Sequence, residues 1–171
     1  TNSIGDGNHT RTGYCMRKYM NPENDGINNY DWTNFIYIRY AEVLLTYAEA
    51  RNEQLASPDN QVYDAVNAIR QRPSVNLPAL ASGMTKDEMR AAIRLELRLE
   101  FAFEGIHLFD TRSYKTTEAD VKKPVYGMRP DGTKFLVEQR KFNPNRDYLW
   151  AIPLTEVDLS KGVLKQNPNW D

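Results

Sequence analysis

Residues 34–53 read NFIYIRYAEVLLTYAEARNE, and the spacing of their apolar side chains decides the fold class. Ile38, Ala41, Leu45 and Ala48 recur at intervals of three and four, which places them on one face of a helix. The alanines on that face let a neighbouring helix approach closely. Ser57-Pro58-Asp59 follows, supplying an N-cap, a proline for a first turn and an acid near the positive end of the helix dipole. A second helix is therefore predicted, with Val62, Ala65, Val66 and Ile69 inward and a stop at Pro73. So short a connection folds the two helices into an antiparallel hairpin, the unit stacked in tetratricopeptide-like arrays. One hairpin cannot bury its own apolar face, so a third element is required.

That element begins at Thr85-Lys86-Asp87-Glu88, a capping box in which Thr85 and Glu88 satisfy each other's free backbone N–H groups. It continues into residues 93–114, IRLELRLEFAFEGIHLFDTRSY. There Leu95, Leu99, Ala102, Ile106 and Phe109 fall at spacings of four and three, while Leu97, Phe101 and Leu108 widen the stripe. The pattern predicts a long central helix, covered on more than one side. Arg90, Arg94 and Arg98 form one charged column on it and Glu96, Glu100 and Glu104 another, roughly 160° apart at about 100° per residue. Columns so placed cannot neutralise each other. For the glutamates the candidate partners are Arg39, Arg51, Arg70, Arg72 and Arg112, or free N–H groups of the C-terminal tail.

Glu104 and His107 stand at the Glu-x-x-His spacing of di-iron carboxylate bundles. Such a site needs a second Glu-x-x-His, and the only other histidine, His9, lies in a polar stretch. No metal, no cofactor and no catalytic pair is expected. Instead Glu100 and Glu104 are predicted to accept hydrogen bonds from arginines or backbone N–H groups, Gly105 to close or bend the helix, and His107 to pack. No G-x-S-x-G, H-E-x-x-H or phosphate-cradling glycine loop occurs, so the residues make no case for an enzyme.

Elsewhere, residues 1–33 are rich in Asn, Gly and Asp and read as loop, with Tyr14 to Met20 a strand candidate. PVYGMR and KFLVEQRKF flank Pro130-Asp131-Gly132-Thr133, the makings of a β-hairpin. The tail YLWAIPLTEVDLSKGVLKQNPNWD, interrupted by prolines, has room for a helical turn or two around Thr155 to Leu159 and is expected to wrap the helices. At 171 residues the chain is expected to form a single domain, 1–171. Its 22 Lys and Arg against 23 Asp and Glu give no basic footprint for nucleic acid. No apolar run approaches the roughly 20 residues of a membrane span. Cys15 is the sole cysteine, which excludes an internal disulfide.

Four segments, in order, carry a family pattern: IRYAEVLLTYAEARNE (38–53), VNAIRQRPSVNLPAL (66–80), LEFAFEGIHLFD (99–110) and YLWAIPLTEVDLSKGVLKQNPNW (148–170), with a weaker TGYCMRKYM upstream. Together they resemble the SusD/RagB family of nutrient-binding lipoproteins of the Gram-negative outer membrane. His107 stands where that family commonly has arginine, Ala151 where it has proline and Asn169 where it has glycine; asparagine also tolerates the left-handed region.

The resemblance implies a mainly α fold: tetratricopeptide-like hairpin, long central helix, small β-hairpin and loop-rich wrapping segments. It implies the C-terminal part of a longer protein, whose lipid anchor lies upstream of this chain. It further implies a non-enzymatic, surface-exposed binder of oligosaccharide, or peptide, that hands nutrient to a SusC-like TonB-dependent transporter. A tetratricopeptide-like protein-interaction scaffold without glycan binding is the alternative. Sugar binding needs aromatic platforms beside amides on loops, and Asn28 to Trp32 supplies them, making Asn29, Tyr30 and Trp32 the ligand candidates. The other reading of Trp32 is an anchor for the first helix. Tyr126 is a weaker surface candidate, and Trp150 and Trp170 are read as packing residues.

Overall fold

The computed structural model describes residues 10–21 and 34–170, which are mostly helical with one small two-stranded antiparallel sheet. They divide into two compact units, one within Tyr19–His107 and the other joining the stretch up to Lys18 with Leu108–Asp171.

In the first unit, α1 (Tyr40–Gln54) buries Ala41, Leu45, Ala48 and Asn52 and packs against both α2 (Asn60–Arg70) and α3 (Lys86–Glu100). α1 starts later than its periodicity predicts. Arg39 is extended, with φ −135° and ψ 156°, and Ile38 is 74 % exposed rather than in the apolar face. Phe35, Ile36, Tyr37 and Ile38 are aromatic or β-branched, and such side chains lose χ1 freedom against a preceding helical turn. α2 likewise starts later than predicted. Its N-cap is Asp59, not Ser57: Asp59 Oδ1 accepts the Val62 N–H at 3.2 Å. The same carboxylate takes a fork from Arg51, with Nε and Nη2 2.9 and 2.5 Å from Oδ2, tying the end of α1 to the start of α2.

α3 opens with the complete capping box: Thr85 Oγ1 accepts the Glu88 N–H and Glu88 Oε2 accepts the Thr85 N–H. The core of this unit is Leu45, Val62, Val66, Ile69, Met89, Ile93, Leu97 and Phe101, closed by the small Ala41, Ala48 and Ala65. Two expectations for α3 are corrected. Its buried face is Met89, Ile93, Leu97 and Phe101 at intervals of four, with Glu96 beside them, whereas Leu95 and Leu99 are 53 % and 59 % exposed and Phe109 is exposed. α3 carries apolar residues on two faces, and periodicity does not say which one meets α1. The helix also stops at Glu100 instead of running on. Phe101 leaves helical geometry, and Phe103 and Gly105 both take left-handed backbone, φ +66° and +80°. The Glu104 N–H bonds Phe101 O at 3.0 Å, while Arg39 Nη2 donates to the Glu100 carbonyl at 2.7 Å. An arginine from outside the helix thus satisfies a carbonyl orphaned by the break.

α4 (Ile106–Ser113) follows, and the division between units falls within it, after His107. The second unit holds the rest of α4, α5 (Thr117–Val121), β1 (Val125–Met128), β2 (Lys134–Glu138) and α6 (Leu154–Leu159). β1 and β2 pair antiparallel, Gly127 opposite Phe135, around the predicted turn. Gly132 supplies its left-handed residue, φ +83°, and Asp131 Oδ1 accepts the Thr133 N–H at 2.9 Å. Gly127 is required by space: a Cβ there would lie 2.6 Å from the Phe135 ring and 2.8 Å from Thr12 O. That Thr12 carbonyl accepts the Met128 N–H at 2.9 Å, but Tyr14 to Met20 forms no strand. The bond to β1 is made by Thr12, inside the turn closed by the Gly13 N–H on Thr10 O and outside the Tyr14 to Met20 stretch.

Candidate functional site

The ligand candidates Asn29, Tyr30 and Trp32 lie outside the described residues, as does His9. Among those described, the charged columns of α3 organise the first unit. On one side, Arg90 Nη2 donates to Glu53 Oε2 at 2.7 Å, and Arg94 Nε lies 3.6 Å from Glu49 Oε1, so the arginines answer acids of α1. On the other, Arg70 pairs with Glu96, Arg72 forks onto both oxygens of Glu100 at 2.7 Å, and Arg39 reaches both Glu100 and Glu104.

Arg39 is the hub of this network. Nε and Nη2 contact Glu104 Oε2 and Oε1 at 2.9 and 2.8 Å, Nη1 contacts Glu100, and the guanidinium carbon stands 4.2 Å above the Phe101 ring. The two carboxylate side chains are 9 % and 10 % exposed. Burial alone would raise the Glu100 carboxyl, but hydrogen bonds from Arg72 and Arg39 overcome it and hold Glu100 below the ordinary glutamate value. Burial would lower the Arg39 guanidinium, and its bonds to Glu104 and Glu100 raise it instead. Such a network fixes geometry; both carboxylates are spent on arginines, leaving neither to serve as a general base or metal ligand. His107 is half-buried on α4, and no group of three or more His, Cys, Asp or Glu placed to hold a metal ion occurs among the described residues.

The tail is held by its own amides. Gln166 Oε1 accepts the Ile152 N–H and Gln166 Nε2 donates to Ile152 O, each at 2.8 Å, imitating a strand partner. Asn167 Nδ2 donates to Trp150 O at 2.7 Å, Asn169 Nδ2 to Asn145 O at 2.8 Å and Trp170 Nε1 to Leu149 O at 3.1 Å. Asn169 sits at φ +63°, in the left-handed region that asparagine tolerates. Trp150, exposed on one face, takes the Arg112 guanidinium 4.4 Å above its ring. Tyr126 is exposed on β1 with Lys134 Nζ 3.9 Å from its centroid.

Sequence reasoning missed a cleft. In the first unit an open cavity of about 540 Å³ is lined by Pro58, Asn60, Tyr63, Asn67, Ser82 and Met84 among others. One wall is α2; the other is the segment leading into α3. Tyr63, Asn67 and Arg70, one face of α2, pin that segment: Arg70 Nε donates to Pro78 O, Asn67 Oδ1 accepts the Leu80 N–H and Tyr63 Oη accepts the Met84 N–H, each at 2.9 Å. The available signal was Tyr63 and Asn67, four residues apart on α2 and off its apolar face of Val62, Ala65, Val66 and Ile69.

A family model described as the SusD family matches residues 1–170. The SusD-like protein P2 of Formosa agariphila is 34% identical over 143 residues, 81% of this chain and 26% of its own length. This chain therefore spans about a quarter of that relative. Two crystal structures from Bacteroides fragilis are similar in fold and sequence. A SusD-like protein is 36% identical, with a TM-score of 0.68 over 81% of this chain and 26% of the other. A SusD-like carbohydrate binding protein is 31% identical, with a TM-score of 0.75 over 88% of this chain and 33% of the other. With the family model matching nearly every residue, this chain belongs to the SusD family.

Proposed function

We propose that this chain is part of a cell-surface binder that captures oligosaccharide and passes it to a SusC-like TonB-dependent transporter in the outer membrane. The observation that carries the reading is the likeness, in both backbone and sequence, to a SusD-like carbohydrate binding protein. The arginine network adds to it, because it commits Glu100 and Glu104 to fixing a scaffold. Nutrient capture needs a rigid platform and polar loops, not a reaction centre.

In this reading Asn29, Tyr30 and Trp32 supply a stacking surface and hydroxyl-binding amide for sugar. Isothermal titration of the chain with neutral oligosaccharides is the test, compared with the Tyr30→Ala/Trp32→Ala double variant. Lost affinity supports the assignment, and unchanged affinity removes these residues from the site. Co-purification of a TonB-dependent barrel with the full-length protein from outer membranes tests delivery. Release of new reducing ends from a polysaccharide would overturn the non-enzymatic reading.

A further inference from the structure

The cleft beside α2 has chemistry of its own. Asn67 Oδ1 is committed to the Leu80 N–H, which fixes the amide orientation and leaves the two Nδ2 protons as donors. Tyr63 Oη is committed as acceptor to the Met84 N–H, so its own O–H is likewise a donor to spare. Asn60, Ser57 and Ser82 add an amide and two hydroxyls around the rim, while Pro58, Leu80 and Met84 supply apolar surface. Among the described residues, no Lys, Arg, Asp or Glu lines the cleft. Its volume falls within the roughly 300–1,000 Å³ of small-ligand pockets.

This set selects its ligand. A charged molecule would surrender hydration without gaining a counter-ion. An extended peptide must place N–H donors as well as acceptors, and its donors would find only the rim oxygens of Ser57, Asn60 and Ser82, because Asn67 Oδ1 and Tyr63 Oη already accept from backbone N–H groups. A sugar hydroxyl can turn its lone pair to Asn67 Nδ2 or Tyr63 Oη, and the C–H face of the ring matches Pro58 and Met84. The three pins from α2 hold both walls before anything binds, so little ordering entropy is lost on binding.

We propose that this cleft is a neutral-saccharide subsite; the inference rests on the glycan-binding reading above. The 171-residue chain, ¹⁵N-labelled, is titrated with maltohexaose, cellohexaose, laminarihexaose and xylohexaose, and with an oligogalacturonate as the charged control. A neutral oligosaccharide is expected to shift the amides of Tyr63, Asn67 and Ser82 to Met84 and to bind at least about tenfold more tightly than the oligogalacturonate. Ser82→Trp, which fills the mouth from an exposed position, is expected to abolish those shifts, and Asn60→Ala to weaken them, with both variants retaining the native circular dichroism and melting temperature. Neutral oligosaccharide binding that neither variant alters, with no shift at the cleft, would overturn the subsite and leave the glycan reading standing. No binding of any neutral oligosaccharide would overturn both. Preferential binding of the oligogalacturonate in the cleft would overturn the neutral class.

Discussion

Arg39 binds Glu100 twice: Nη1 meets its carboxylate, and Nη2 donates to its main-chain carbonyl at 2.7 Å, where α3 ends. One side chain thus neutralises a nearly buried acid and caps the helix that bears it. With Glu104 on the same fork, Arg39→Ala leaves one carboxylate without its fork and a helix C-terminus uncapped. The expected loss in denaturant unfolding is about 3 kcal/mol, the scale for breaking a buried pair. Arg39→Lys keeps the charge without the planar fork and recovers only part of it. A loss for Arg39→Ala of only about 0.2–1 kcal/mol would make the network no better than surface ion pairs.

The depressed Glu100 carboxyl sets a pH dependence. Its folded-state value lies below its ordinary 4.5, so its stabilising contribution is complete above about that pH and is lost as pH falls through the folded value. Asp59 and Glu53, held low chiefly by hydrogen bonds from Arg51 and Arg90, add to the same acid limb, so wild type alone does not isolate Glu100. Glu100→Gln does. Wild type should exceed the variant by about 2 kcal/mol at pH 7, and the gap should close below the ordinary glutamate value. A gap independent of pH would show that packing, not ionisation, separates them.

The break between α3 and α4 rests on two left-handed residues of opposite suitability. Gly105 adopts φ +80° without strain, and a Cβ there meets nothing within 4 Å, so Gly105→Ala should cost about 1–2 kcal/mol through backbone conformation alone. Phe103 carries a side chain at φ +66° and is 72 % exposed. Phe103→Asn should therefore gain up to about 1 kcal/mol, since asparagine enters the left-handed region more readily. Thermal melts of the two variants should move in opposite directions; a matching fall in both would place Phe103 in a packing role.

These cases separate what the sequence holds from what it does not. The capping box at Thr85 and Glu88 and the turn at Pro130 to Gly132 were legible because all their partners lie within a few positions. Arg39, Arg70 and Arg72 were legible as candidates but not as pairs, since Arg39 and Glu100 are 61 residues apart and meet only once the helices have packed. The N-cap is Asp59 rather than Ser57, and its carboxylate also takes Arg51, a contact between two helices that the cap pattern does not encode. Tyr63 and Asn67 marked at most one wall of the cleft, which is assembled from the α1–α2 connection, α2 and the segment before α3.

The two apolar faces of α3 give the sharpest contrast. Ile93 is fully buried against α1, so Ile93→Ala should cost about 2–5 kcal/mol through lost burial and a cavity. Leu95, two residues away, points about 160° round the helix, and in this chain Leu95→Gln should change stability by no more than about 0.5 kcal/mol. Equal periodicity in the sequence thus corresponds to at least about a fourfold difference in cost, set by which face α1 covers. Denaturant midpoints of the two variants decide it. A loss at Leu95 comparable to that at Ile93 would mean that a further surface covers this face of α3 in solution.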